Sequence, residues 1–224
     1  KALAESDVAT TEAVRRLSRA KRTTLARVFL AVFEALLCQL TNQEGGCVGV
    51  SIANRNHPGL EQLLGFFVNI VPVRVRVRET TEFDELLAQV VKASEEAFEH
   101  QDYPFDLLVQ KVNPSRSNNR QPMVNVVYAF QNFADVHIDV GAKRGASADD
   151  GDVTSGRAFE HAFKTSKFDL TLFVVDEDGK LSLTLEYDTG LFRAETVRKW
   201  LMGLKRFAAM VAHTSGEPTC RSKA

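Results

Sequence analysis

Phe66 to Arg78 reads FFVNIVPVRVRVR and closes in strict alternation, with Val73, Val75 and Val77 separated by Arg74, Arg76 and Arg78. Side chains of a strand point alternately to its two faces, so this segment is extended, with one face in the core and the other in water. Upstream, Asn42 to Gly46 is a turn, and CVGVSI, Cys47 to Ile52, is a short strand of the fully buried kind. Between the two strands, Ala53 to Gly59 has the polar, proline-bearing composition of a loop. Leu60, Leu63 and Leu64 then form a short helix that ends at Gly65.

Helices flank this pair. From Thr10 to Leu40 the chain reads as a first helix carrying Val14 and Leu17. A longer one follows, capped by Thr23 or Thr24, whose Leu25, Val28, Phe29, Val32, Phe33 and Leu36 cover most of its faces. Glu82 to Glu99 holds Phe83, Leu86, Leu87 and Val90 at helical period, and another helix opens near Pro104 with Leu107, Leu108 and Val112 facing inward. VNVVYAF, Val124 to Phe130, is a strand, and two closing strands, Phe168 to Val175 and Leu181 to Tyr187, flank the turn at Asp176 to Gly179. A last amphipathic helix runs from Ala194 to Val211. Alternating helices and strands define the fold class as α/β, a sandwich of helices on a sheet. The glycine- and acid-rich segment from Asp139 to Arg157 is an excursion from it.

Bulk chemistry excludes several functions. With 44% hydrophobic and 25% charged residues and a net charge of -1, the chain is globular and carries no general attraction for nucleic acid or anionic lipid. The apolar run Val28 to Leu40 is interrupted by Glu34 and Gln39 and is too short for a bilayer span. Cys38, Cys47 and Cys220 are scattered, which suits a reducing, cytoplasmic setting, and the absence of an initiating methionine suggests a piece of a longer chain. The five histidines never take metal-ligand spacing, so no metal is expected. No GxSxG frames a serine, and neither GxGxxG nor GxxxxGK[ST] is present to cradle a phosphate.

HQDYPFD, His100 to Asp106, is the densest cluster of chemically capable side chains. One reading is architectural: an elbow between helices, with Asp102 capping the helix that Pro104 opens and Tyr103 and Phe105 wedged into the core. The other makes His100 a general base oriented by Asp102, which requires a nucleophile and a substrate proton that the local sequence does not supply. From the residues alone, the elbow is the better supported.

The order of segments carries a resemblance. VGVSIANRNHPGLEQLLGFFVNIVPVR, then HQDYPFDLLV, NRQPMVNVVYAFQNF, KFDLTLFVV and LEYDTGLF together resemble the condensation domain of nonribosomal peptide synthetases. Gly65, Phe67, Val68, Asn69 and Arg74 match the family motif IGxFVNTxxxR. His100, Gln101, Asp102, Tyr103, Pro104 and Phe105 match HQDYPFE, with Asp106 in place of glutamate. Of RDxSRNPL, only Arg116, Arg120 and Pro122 are kept, and the family signature HHxxxDG is absent.

The resemblance implies a chloramphenicol-acetyltransferase-like two-layer lobe, with residues 1–224 as the C-terminal subdomain of a two-lobed domain and a crossover latch at about 135–165. It implies amide formation between a donor acyl thioester and an acceptor aminoacyl thioester, with no cofactor bound directly because both substrates ride on phosphopantetheine arms. The implied partners are the N-terminal condensation subdomain, carrier proteins and an adjacent adenylation domain, and this half alone would be inactive. Gly65, Phe67, Asn69 and Arg74 are the expected tunnel-side residues. Asn69 either points into the tunnel or satisfies loop backbone, and Arg74 either pairs with an acid of the other lobe or is solvated. The HQDYPF residues with Arg120 and Pro122 are expected to be structural. Competing readings are a non-catalytic relative that recruits a tailoring enzyme, an epimerization-type relative, and a free-standing acyltransferase.

Overall fold

A computed structural model describes residues 1–5, 8–78, 80–112, 122–132, 166–177 and 180–213. Its strands are β1 (Ala2–Glu5), β2 (Gly46–Ile52), β3 (Asn69–Val75), β4 (Val126–Asn132), β5 (Leu170–Glu177) and β6 (Lys180–Tyr187). Its helices are α1 (Val8–Ala20), α2 (Leu25–Thr41), α3 (Phe83–Glu99), α4 (Phe105–Val112) and α5 (Ala194–His213). The strands form one sheet in the order β1-β6-β5-β4-β2-β3, in which β2–β4 and β4–β5 are parallel and the other pairs antiparallel.

Strand pleating sorts the sheet into two faces. Val48, Val73, Tyr128, Leu172, Val174, Leu183 and Leu185 share one face and join α1, α2, α3 and α5 in a single core. The opposite face carries Gly49, Ser51, Val127, Ala129, Thr171 and Phe173. The expected α/β sandwich is therefore present, with its core on one side of the sheet. Local signals set the long helices. Thr24 caps α2 by accepting the Arg27 N–H at 3.3 Å, and Asn42 ends it in the left-handed region at φ 54°. Tyr128 anchors β4 beneath α2 by donating its hydroxyl to the Ala26 carbonyl at 2.8 Å. No single described helix is long and apolar enough to cross a membrane.

Several expectations are corrected. The short helix expected through Leu60, Leu63 and Leu64 is cut back: only Leu60–Gln62 forms a single 3-10 turn, and Leu63 and Leu64 are exposed. Arg55 organises the loop instead, donating through Nη1 to the carbonyls of Leu60 and Leu63 and lying 4.4 Å from the centroid of the Phe67 ring. α4 buries none of its residues, and Leu107 and Val112 are about half exposed rather than inward. Ala2–Glu5, unread in the sequence, forms edge strand β1 against β6.

Candidate functional site

Asn69 is the first residue of β3, and its side chain reaches away from the strand into the HQDYPF elbow. Its Nδ2 donates to the carbonyls of Gln101 at 2.8 Å and Tyr103 at 3.0 Å, while its Oδ1 accepts the N–H of Phe105 at 3.2 Å. Only one orientation of the amide satisfies two carbonyls and one N–H, so the hydrogen-bond chemistry itself fixes which end is oxygen. Phe105 opens α4, so Asn69 satisfies one of the orphan N–H groups at that helix start from a distant strand. The elbow between α3 and α4 is thereby tied to the beginning of β3.

This corrects the reading of Asp102 as the cap of α4. The Asp102 carboxylate instead accepts from Asn56 Nδ2 at 3.4 Å, joining the elbow to the loop after β2. Tyr103 is exposed and Phe105 half-buried, so neither wedges into the core. The elbow holds itself by tight turns, with Gln101 N donating to Phe98 O and Tyr103 N to His100 O, and Pro104 presents its carbonyl to Leu108 N. Both elements of the HQDYPFD elbow reading, two helices and a bend, are present; its capping atom comes from elsewhere.

Gly65 has a steric role. A Cβ there would lie 2.9 Å from the Phe67 ring, so glycine lets that ring fold back beneath Arg55. Arg74 is exposed on the side of β3 opposite the core valines and lines a shallow hollow of about 390 Å³ with Arg76, Gln89, Lys92 and Glu96. Pro122 is half-buried and accepts the Val124 N–H at 2.8 Å, where the chain enters β4. Arg116, Arg120 and the segment at about 135–165 lie outside the described residues.

Two hollows flank the Asn69 tether. One is a groove of about 930 Å³ between β3 and α4, lined by His100, Asp102, Tyr103, Leu107 and Val112. The other is a cleft of about 710 Å³ on the face of the sheet opposite the core. Its floor includes Val127, Ala129, Thr171 and Phe173, and Phe66 and Phe105 form walls. Asn69 lines this cleft, yet its amide is spent on the elbow backbone. His100 and Asp102 line the other hollow, so the cleft and the histidine stand on different sides of the tether. Sequence reasoning did not name Asn56, Arg55 or the cleft floor. The floor had a usable signal, since its residues alternate with the core residues of β4 and β5.

The sequence profile of the condensation domain matches residues 2–221. The chain belongs to the condensation domain family. One of the plipastatin synthase subunits of Bacillus subtilis is 34% identical over 208 residues, covering 93% of this chain and 5% of its own length. A four-domain nonribosomal peptide synthetase bound to AMP and glycine superposes with a TM-score of 0.85 at 19% identity, covering 97% of this chain and 17% of that one. The X-domain in complex with OxyB from teicoplanin biosynthesis gives a TM-score of 0.80 at 19% identity, covering 97% of this chain and 46% of that one. At such identities the structural likeness establishes a shared fold, and this condensation-family chain spans less than half of the solved chains it matches. Its FFVN and HQDYPF segments, separate in sequence, are the two that Asn69 joins in space.

Proposed function

We propose that this chain is the C-terminal half of a condensation domain and supplies one wall of a tunnel in which two carrier-bound acyl groups are joined. The amine nitrogen of the acceptor attacks the donor thioester carbonyl. A C–N bond forms, the C–S bond breaks, and the amine proton leaves with the phosphopantetheine thiol. The wall would contribute chiefly by holding two tethered reactants together, which can replace much of the barrier to a bimolecular step. The observation that carries this reading is the cleft on the sheet face opposite the core, bounded by the two motif segments that Asn69 locks together.

Exposed apolar side chains on both sides of the tether support a partner lobe. Phe66 is exposed at the cleft and Tyr103, Leu107 and Val112 at the groove, and apolar exposure of this kind marks an interaction surface. The other half of the domain is the proposed occupant, with carrier proteins and an adenylation domain as further partners. Amide formation between donor- and acceptor-loaded carrier proteins, measured by mass spectrometry, tests the reading. The complete protein is expected to form the amide and this chain alone to form none. A complete protein that forms no amide yet binds a tailoring enzyme would favour the recruiting alternative and overturn the catalytic one.

A further inference from the structure

The cleft on the sheet face opposite the core is lined mostly by apolar side chains. Its floor is built from two cross-strand pairs of β4 and β5, Val127 with Thr171 and Ala129 with Phe173. Val127, Ala129 and Thr171 are buried, so the base of the cleft lies away from bulk solvent. Phe66 and Phe105 close it from the loop and the elbow. Among the charged residues at its margin, Glu186 is already paired with Lys1 at 3.2 Å. Its volume of about 710 Å³ lies within the roughly 300–1,000 Å³ usual for pockets that enclose small ligands, and such pockets are mostly apolar. Asp106 and Lys167 also line the cleft but are exposed; over the floor of Val127, Ala129 and Phe173 a charged group would lose hydration, whereas an apolar group gains by the same move.

We infer that the cleft receives the apolar side chain of one of the two thioester-bound acyl groups, and that Ala129 and Phe173 set the size it accepts. The inference rests on the reading of this cleft as substrate-facing. The small side chain of Ala129 lies beside the large ring of Phe173 on neighbouring strands, which puts a step in the floor. Atoms added at position 129 fill the low side, and removal of the ring at position 173 lowers the high side.

The test uses the full-length protein that contains this chain, assayed for amide formation in two arms. One arm varies the acceptor through glycyl, alanyl, leucyl and phenylalanyl with the donor fixed; the other varies the donor in the same way. Ala129→Leu is expected to lower kcat/KM for leucyl and phenylalanyl about tenfold relative to alanyl in one arm, the scale on which hydrophobic pockets sense methylene groups. Phe173→Leu is expected to raise the relative rate of phenylalanyl in that same arm, which identifies the acyl group held in the cleft. Should Ala129→Leu fail to fold, Phe173→Leu carries the readout alone. An unchanged size ranking in both arms for every folded variant overturns the inference while leaving the amide-forming function intact. A wild-type protein that forms no amide with any pair overturns the functional reading and this inference with it.

Discussion

Replacing Asn69 with alanine deletes all three hydrogen bonds that tie β3 to the α3–α4 elbow. Loss of the acceptor for the Phe105 N–H resembles loss of a helix cap, worth about 1 kcal/mol. The carbonyls of Gln101 and Tyr103 each lose a donor worth about 1 kcal/mol, but they stand near solvent and water recovers part of it. The net cost is therefore about 2 kcal/mol, or roughly a 30-fold change in a local opening equilibrium. That cost falls on α4, because α4 buries none of its residues and has little else to hold it, while the core beneath α2 and α5 is untouched. Hydrogen exchange read by mass spectrometry on peptides covering the elbow and α4 is the assay. Exchange there should accelerate about 30-fold while peptides of α2 and β5 keep their protection. In the complete protein, condensation should fall without global unfolding, since the cleft wall at Phe105 moves with α4. Asn69→Asp keeps the acceptor for Phe105 and should retain more protection in α4 than Asn69→Ala. Unchanged exchange in α4 together with lost condensation would refute the tether and return Asn69 to a direct role in the proposed tunnel.

Two further outcomes follow from the interior. Glu34 is 1% exposed, its Oε1 has no hydrogen-bond partner among the described residues, and burial pushes its carboxyl from the ordinary 4.5 up to about 8. Between those values the folded chain binds more protons than the unfolded one, so stability is greatest below pH 4.5 for this group and falls as pH rises to about 8. The slope contributed is about 1 kcal/mol per pH unit, and Glu34→Gln should flatten it in urea titrations repeated across that range. A slope that persists in Glu34→Gln would assign the effect to another group. Gly49→Ala would set a Cβ 2.6 Å from Val124 Cγ1 and 2.7 Å from Ile70 Cγ2, both tighter than packed carbon atoms allow. Thermal unfolding should report a loss of about 1–3 kcal/mol, and a melting curve equal to wild type would contradict the packing described.

Much of this protein is legible one residue after another. Alternation from Val73 to Arg78, along the end of β3 and the residues just past it, and the 3.6-residue period of α2, α3 and α5 are imposed by the nearest neighbours along the chain, and so is the Thr24 cap. The FFVN and HQDYPF motifs likewise carry the family in their order. What the sequence could not settle is which groups meet. Asp102 had the right chemistry and position to cap α4, but Asn69, more than thirty residues earlier, reaches the Phe105 N–H instead. The apolar spacing of α4 implied a buried face, yet none of its residues is buried and Phe105 and Leu108 are only partly covered. The four residues of β1 carry too little pattern to be read alone and become a strand because β6 offers an edge. Local periodicity is fixed by backbone geometry and is written in adjacent residues. A side-chain amide, a helix start or a sheet edge is satisfied by whatever the closed chain brings within about 3 Å, and that choice exists only once the sheet has assembled.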